Sequence, residues 1–214
     1  MNYVTFWDAA RFANWLHNGQ QTGPQGSGTT EDGAYHNVGN QTLFGRNAGA
    51  KFFIPTEDEW YKAAYHDKDA GLAASYFDYP TGTNSLPGND ITEATNPGNN
   101  ANYRINAIND AIGNPYYRTV AGEFELSDSP YGTFDQGGNV HEWNETVLFS
   151  SSQRGVRGGT FFDGLSSLLT SVRSSGDPTF EYYLIGFRVA SIPEPSSLLL
   201  GVVASLGMLV RRRR

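Results

Sequence analysis

Two carboxylates seven positions apart, Asp135 and Glu142, enclose the segment Gln136-Gly137-Gly138-Asn139-Val140-His141. The glycines between them let main-chain carbonyls turn toward a common point. Ligation by oxygen alone suits Ca²⁺, a hard cation that takes six to eight oxygens at roughly 2.3–2.6 Å. The same residues admit a second reading, in which Asp135 and Glu142 cap turns and pair with arginines such as Arg157 or Arg188. Arg157, Arg173 and Arg188 are themselves a set with two readings. They could clamp an anion, or they could hold loops by forked hydrogen bonds.

Other chemistries are limited by what the chain lacks. There is no cysteine, so disulfides, thiolate metal centres and cysteine nucleophiles are excluded. His17, His36, His66 and His141 show no metal spacing, and His141-Glu142 does not open an H-E-x-x-H because Glu145 stands at its last position. Zinc is therefore not expected, and His141 reads as a semi-exposed loop residue. No nucleophile-elbow spacing occurs. Gly137-Gly138 and Gly158-Gly159 lead into no helix, which makes them turn glycines rather than phosphate cradles.

The elements that position these residues belong to a chain of 214 residues with 38% hydrophobic content, enough for one domain with a core. Its 25 glycines and 10 prolines favour short elements joined by tight, φ-positive turns. Aromatic residues reach 14% and must supply much of the core, since long aliphatic runs are scarce before the C-terminus. The formal charge is −7, and four of the 15 basic residues are the terminal arginines, so the body is more acidic still. An acidic body argues against a nucleic-acid partner and is compatible with bound cations.

Thr5 opens a weak capping-box pattern, and Ala9, Phe12, Ala13 and Leu16 recur at helical spacing, predicting about three turns closed by Asn18-Gly19. Residues 19–50 read as loop with strand pieces near Ala34-Tyr35 and Leu43-Phe44. Phe52-Phe53-Ile54 reads as a short strand. A second helix opens in Pro55 to Trp60, with Thr56 as N-cap, Glu59 at N3, and Trp60, Ala63 and Ala64 facing the core. From Tyr76 to about Ser129 turn residues dominate, yet regularly placed Tyr and Phe predict packed irregular structure. Val156 to Phe161 and Gly186 to Ala190 read as late strands.

Leu198 to Val210 reads LLLGVVASLGMLV and is followed by Arg211, Arg212, Arg213 and Arg214. A helix of ~13–15 residues spans about 20 Å, short of the roughly 30 Å hydrocarbon core, and a buried core helix is the usual reading at that length. Four terminal arginines make burial costly and fit a cytoplasmic stop under the positive-inside bias. Upstream lie Pro193, Glu194 and Pro195. The order Pro-Glu-Pro, short apolar helix, arginine cluster resembles the PEP-CTERM sorting tail of Gram-negative bacteria. The resemblance implies recognition and cleavage by an exosortase, with export through the inner membrane, transient anchoring by a short C-terminal transmembrane helix, and a final place at the cell surface or outside the cell. Met1-Asn2-Tyr3-Val4 does not begin a signal peptide, which predicts a native start further upstream.

The body carries a second ordered series: Trp7-Asp8-Ala9, Pro55 to Trp60, Asn102-Tyr103, Tyr131 to Trp143, Arg157-Gly158-Gly159 and Gly186-Phe187-Arg188. This series resembles the formylglycine-generating-enzyme, or sulfatase-modifying-factor, family across nearly the whole body. It implies an α+β fold of C-type-lectin-like kind, loop-rich and with little regular secondary structure, over residues 1–190, with the sorting tail at 191–214. In that family the positions matching Asp135, Gly138, Val140 and Glu142 bind calcium, the middle two through main-chain oxygens. A second family calcium site includes the positions of Asn102 and the Tyr103 carbonyl, with Asp110 aligning loosely as its distal acid. His141 stands where the family usually has Trp.

Formylglycine formation in the family uses copper held by two cysteines after Arg-Gly-Gly, and thiolates are needed because they are soft enough for Cu(I). Counting from Arg157-Gly158-Gly159, those positions fall at about Asp163 and Leu168. Copper and the oxidase activity are therefore not expected. A related iron-dependent branch needs an added helical domain with histidine ligands, which these residues do not contain. The expectation is an exosortase-processed surface or matrix protein on a calcium-stabilised scaffold, serving a structural role or binding a surface polysaccharide or another extracellular ligand. The alternative is an enzyme of this superfamily with cysteine-independent chemistry.

Overall fold

Helix α1 (Phe6–His17) starts at the cap the sequence marks. Thr5 Oγ1 accepts from the Asp8 amide at 3.0 Å, and Asp8 Oδ2 accepts from the Thr5 amide at 3.0 Å, closing a capping box. Asn18 ends the helix, and Gly19 follows at φ +78°. The buried face differs from the expected one: Phe6, Ala9, Ala10, Ala13 and Asn14 are buried, whereas Phe12 and Leu16 are only half-buried. Asn14 takes the core position because it serves the following loop, donating to the Thr30 and Tyr35 carbonyls and accepting from the Tyr35 amide.

The computed structural model describes residues 1–71, 75–106, 112, 115–148 and 152–192. Helix α2 (Glu57–Tyr65) has the second capping box, between Thr56 and Glu59. It buries Trp60, Ala64 and Tyr65, with Ala63 half-buried. Strand β1 (Tyr35–His36) pairs with β2 (Gly45–Arg46), two residues later than the Leu43-Phe44 expected. The main sheet is mixed and has four strands: β4 (His141–Leu148), β5 (Gln153–Arg157), β6 (Ser174–Gly176) and β7 (Ile185–Phe187), in the order β6-β5-β4-β7. Strands β4 and β7 are parallel, and the other neighbours antiparallel. Strand β3 (Phe52–Phe53) pairs with β8 (Ala190–Ser191), so the expected strand at 186–190 is two short strands in different sheets.

The predicted strand at Val156 to Phe161 starts earlier and stops at Arg157. Gly158 at φ +100° and Gly159 at φ +72° turn the chain out of the sheet. His141 is not the loop residue expected. It opens β4, and its side chain is only 21% exposed.

Aromatic rings do supply the core. Phe6, Trp7, Tyr35, Phe53 and Trp143 join Ile54 and Val156 between α1 and the main sheet. Among the described residues, the stretch from Tyr76 to Ser129 has isolated bridges but no helix or strand. Buried polar side chains hold it together. Glu93 accepts from the Leu126 amide (2.9 Å) and the Ser127 hydroxyl (2.6 Å), and Asn99 and Asn100 bond the turns around them. No helix of the described residues is long and apolar enough to cross a membrane. The apolar segment from Leu198 to Val210, with Pro193, Glu194, Pro195 and Arg211 to Arg214, lies outside the described residues.

Candidate functional site

The loop entering β4 folds back through three left-handed residues, Asp135 (φ +56°), Gly138 (φ +76°) and Asn139 (φ +61°). Gly138 is required there, because a Cβ would collide with the Asn102 carbonyl. Its amide donates to the Gly158 carbonyl at 2.7 Å, and the Asn139 amide donates to the Asn102 carbonyl at 2.7 Å. Three segments remote in sequence are thereby locked side by side: Asn102-Tyr103, Gly137 to Val140, and Arg157-Gly158-Gly159.

Asp135, Val140 and Glu142 line one cavity of about 370 Å³, together with Asn139, Phe187 and Arg188. Gly138 is not on its wall and is seated instead against Asn102. Burial raises the pKa of Asp135 above its ordinary value, and the Glu142 charge adds to the rise. The Gly122 amide, which donates to Asp135 Oδ2, and Arg188 pull the other way. Glu142 is buried, and both of its oxygens are engaged. Arg188 reaches Oε2 through Nε and Oε1 through Nη2 (2.7 Å), and the Trp60 indole donates to Oε2 at 2.7 Å. The arginine partner of Glu142 is thus Arg188 and not Arg157. Trp60 was missed as a site residue, although it closes the Pro-Thr-Glu-x-Glu-Trp motif.

Asn102 and Tyr103 are both buried. Asn102 Nδ2 donates to the Tyr117 carbonyl at 3.0 Å, while its Oδ1 is buried without a partner among the described residues. Asn89 repeats the arrangement, with Nδ2 on the Tyr103 carbonyl at 2.5 Å and Oδ1 buried and unpartnered. Nothing in the sequence singled out Asn89. Asp110 lies outside the described residues.

The late arginines hold the fold together. Arg157 donates to Glu57 Oε1 through Nε (2.8 Å) and Nη2 (2.5 Å), and its Nη1 reaches the Thr170 and Val172 carbonyls. Arg173 takes the other oxygen of Glu57. The charge-assisted fork of Arg157 on a buried carboxylate is a structural tie that commits its guanidinium, whereas Arg173 is half exposed and held through one nitrogen.

Asp163 and Leu168 have unlike surroundings. Leu168 is fully buried beside Tyr79, Ala101 and Tyr103. Asp163 is 39% exposed, accepts from the Thr160 hydroxyl at 2.8 Å, and lies 3.6 Å from His141 Nε2. Burial lowers the His141 pKa against the pull of Asp163. Among the described residues no three His, Asp or Glu side chains gather as a metal cluster. A cation held here would need main-chain and amide oxygens.

The structure is similar to solved proteins that share its mixed sheets and few helices, three of which follow. Treponema denticola variable protein 1 matches at 22% identity over 90% of this chain and 71% of that one, with TM-score 0.58. CarF matches at 22% identity over 90% and 67%, also with TM-score 0.58. PvdO from Pseudomonas aeruginosa matches at 17% identity and TM-score 0.51, and the chain spans only 61% of its length. At these identities the likeness shows the fold alone. No curated protein sequence matches the chain. Residues 191–214 match the PEP-CTERM protein-sorting motif, which implies export and exosortase processing in Gram-negative bacteria. Residues 1–192 match the sulfatase-modifying factor enzyme 1-like domain. That match spans most of the 214 residues, so the chain belongs to the sulfatase-modifying factor enzyme 1-like domain family.

Proposed function

We propose that this is an exosortase-processed protein of the cell surface or extracellular matrix, whose calcium-stabilised, C-type-lectin-like body displays a binding or structural surface. The observation that supports the reading is what stands at about the two positions that hold copper in the oxidases: Asp163 is half-exposed beside His141, and Leu168 is core. Neither side chain can replace a thiolate pair. On this reading the scaffold serves without the oxidase chemistry.

Calcium in the body has two supports. Asp135 and Glu142 line one cavity, and burial disfavours the carboxylate charge of Asp135, which a cation would offset. Turning the Asn102 amide over would set Oδ1 beside the Tyr117 carbonyl, and the same turn at Asn89 would set Oδ1 beside the Tyr103 carbonyl. Paired oxygens of this kind suit a hard cation, and each turn would give an orphaned buried oxygen a role. A second reading, an enzyme with cysteine-independent chemistry, draws on the His141–Asp163 pair at the position the copper site would occupy.

Mass spectrometry of the protein recovered from a host with an exosortase tests the display reading. The mature form is expected to end near Pro193 to Pro195, and deletion of residues 193–214 should misroute the protein. Surface protein that still carries Arg211 to Arg214 would contradict processing at that place.

A further inference from the structure

We infer that an exposed aromatic face centred on Tyr183 binds an acidic polysaccharide, a polymer of uronic-acid type. The inference rests on the display reading above and names the ligand class. Four separate stretches of chain bring their rings together here. Tyr183 lies 6.3 Å from Tyr3, 4.7 Å from Tyr182 and 6.4 Å from Phe161, centroid to centroid. The row extends from Tyr182 to Phe180 at 6.0 Å, and from Phe161 to Tyr117 at 6.1 Å and Phe162 at 6.5 Å.

Phe161 is buried at 5% exposure, but the rings around it reach solvent: Tyr3 is 59% exposed, Phe180 58%, Phe162 49% and Tyr182 38%. A contiguous exposed apolar face of this kind marks an interaction site. Backbone strain points to the same place. Tyr3 and Tyr117 both take φ +57°, a conformation costly for a bulky side chain. Among the described residues, the other non-glycine positions with positive φ are Asn, Asp, Gln or Glu. Both aromatic outliers aim their rings into this one cluster.

Charge selects the occupant. The Arg104 guanidinium lies 4.9 Å from the Phe162 centroid, and that of Arg118 lies 5.8 Å from the Phe161 centroid. Among the described residues neither arginine forms an ion pair with a carboxylate. In a chain of formal charge −7, two such cations beside one aromatic face are complementary to carboxylates. Asp163, half-exposed next to Phe162, offers an acceptor for hydroxyl groups.

A sugar ring presents a C–H face to an aromatic ring and hydroxyl or carboxylate groups at its edge, so it uses all three features together. Tyr3, Tyr182, Tyr183 and Phe180 are tilted at 37–62° to their neighbours, which forms a broken surface rather than parallel slots for bases.

Affinity gel electrophoresis of the full chain tests this, in a background where Arg211 to Arg214 are changed to glutamine so that the tail cannot hold a polyanion. The gels contain polygalacturonate, neutral dextran, single-stranded DNA or no polymer. The expected result is retardation by polygalacturonate and much less by dextran. The pair Tyr3→Ala and Tyr182→Ala should weaken it about tenfold or more, and Arg104→Gln with Arg118→Gln should lower it to the dextran level. The single change Phe180→Ser, at an exposed ring, repeats the aromatic test if the double variant does not fold. Absence of retardation, equal retardation in every variant, equal retention by dextran, or stronger retention by DNA would each overturn the inference. So would a wild-type dimer that the tyrosine changes convert to monomer, since the face would then join two copies. Correct processing of the tail together with glycan-blind gels removes only this inference. An unprocessed tail removes the display reading whatever the gels give.

Discussion

Removing the charge of Asp135 is the sharpest perturbation of the proposed cation site. Burial holds this carboxyl above its ordinary pKa of 3.8. A group whose folded pKa is raised contributes stability that is whole below the unfolded pKa and is lost as pH rises through the folded value. Near neutral pH the cation-free fold therefore carries a half-buried carboxylate at a cost, and bound Ca²⁺ would offset it. A ligand that binds only the folded state stabilises by about 2.7 kcal/mol at a hundredfold excess over Kd. At roughly 2–4 °C per kcal/mol for a domain of this size, the gain in Tm is roughly 5–11 °C. Thermal melts followed by circular dichroism, in chelator and then in calcium, measure it directly. The wild type should gain that amount at neutral pH and much less in acid, where the carboxyl keeps its proton. Magnesium should do less, since it prefers a tight octahedron with retained water. Asp135→Asn keeps an acceptor for the Gly122 amide, so it should melt above wild type in chelator and show no calcium response. Glu142→Ala tests the site less cleanly, because it also strips Arg188 and Trp60 of their partner. If wild type and Asp135→Asn melt alike with and without calcium, the site is not there, and Asp135 serves only to tie its loop to Gly122.

Glu57→Ala should cost about 3–5 kcal/mol in urea unfolding, because Arg157 is buried and would lose its carboxylate. A loss below about 1 kcal/mol would mean that the Thr170 and Val172 carbonyls hold Arg157 unaided. Gly138→Ala should lower stability far more than Gly132→Ala. Both sites have positive φ, but an added Cβ at Gly138 strikes the Asn102 carbonyl, whereas at Gly132 it meets open space; the backbone strain alone is about 1–2 kcal/mol. Equal melting temperatures for the two variants would refute the close approach as the reason for that glycine. Incubation with copper, oxygen and a sulfatase-type cysteine peptide should leave the peptide unchanged. Formylglycine above a no-protein control would overturn the argument from the missing thiolates.

The two helices were legible because caps are local: Thr5 with Asp8, and Thr56 with Glu59, satisfy amides within three residues. The motif series was legible too, since its order survives without knowledge of what touches what. Strand β4 was not. His141 to Leu148 lacks a clean alternation because Glu142 and Asn144 are buried along with Trp143, and polar burial erases the period-two signal. The spacing of Asp135 and Glu142 allowed calcium or arginine as the partner of Glu142, and sequence could not choose between Arg157 and Arg188. Register alone does not decide it, since Glu142 stands opposite Arg157 on β5 and opposite Gly186 on β7; the Arg157 guanidinium is taken by Glu57, which leaves Glu142 to Arg188, 46 residues away. The same holds for the aromatic face: Tyr3, Phe162, Phe180 and Tyr182 are ordinary residues in the sequence. Each type was read from composition as core, but only the folded chain decides which rings face solvent, because exposure depends on contacts between segments that no local pattern records.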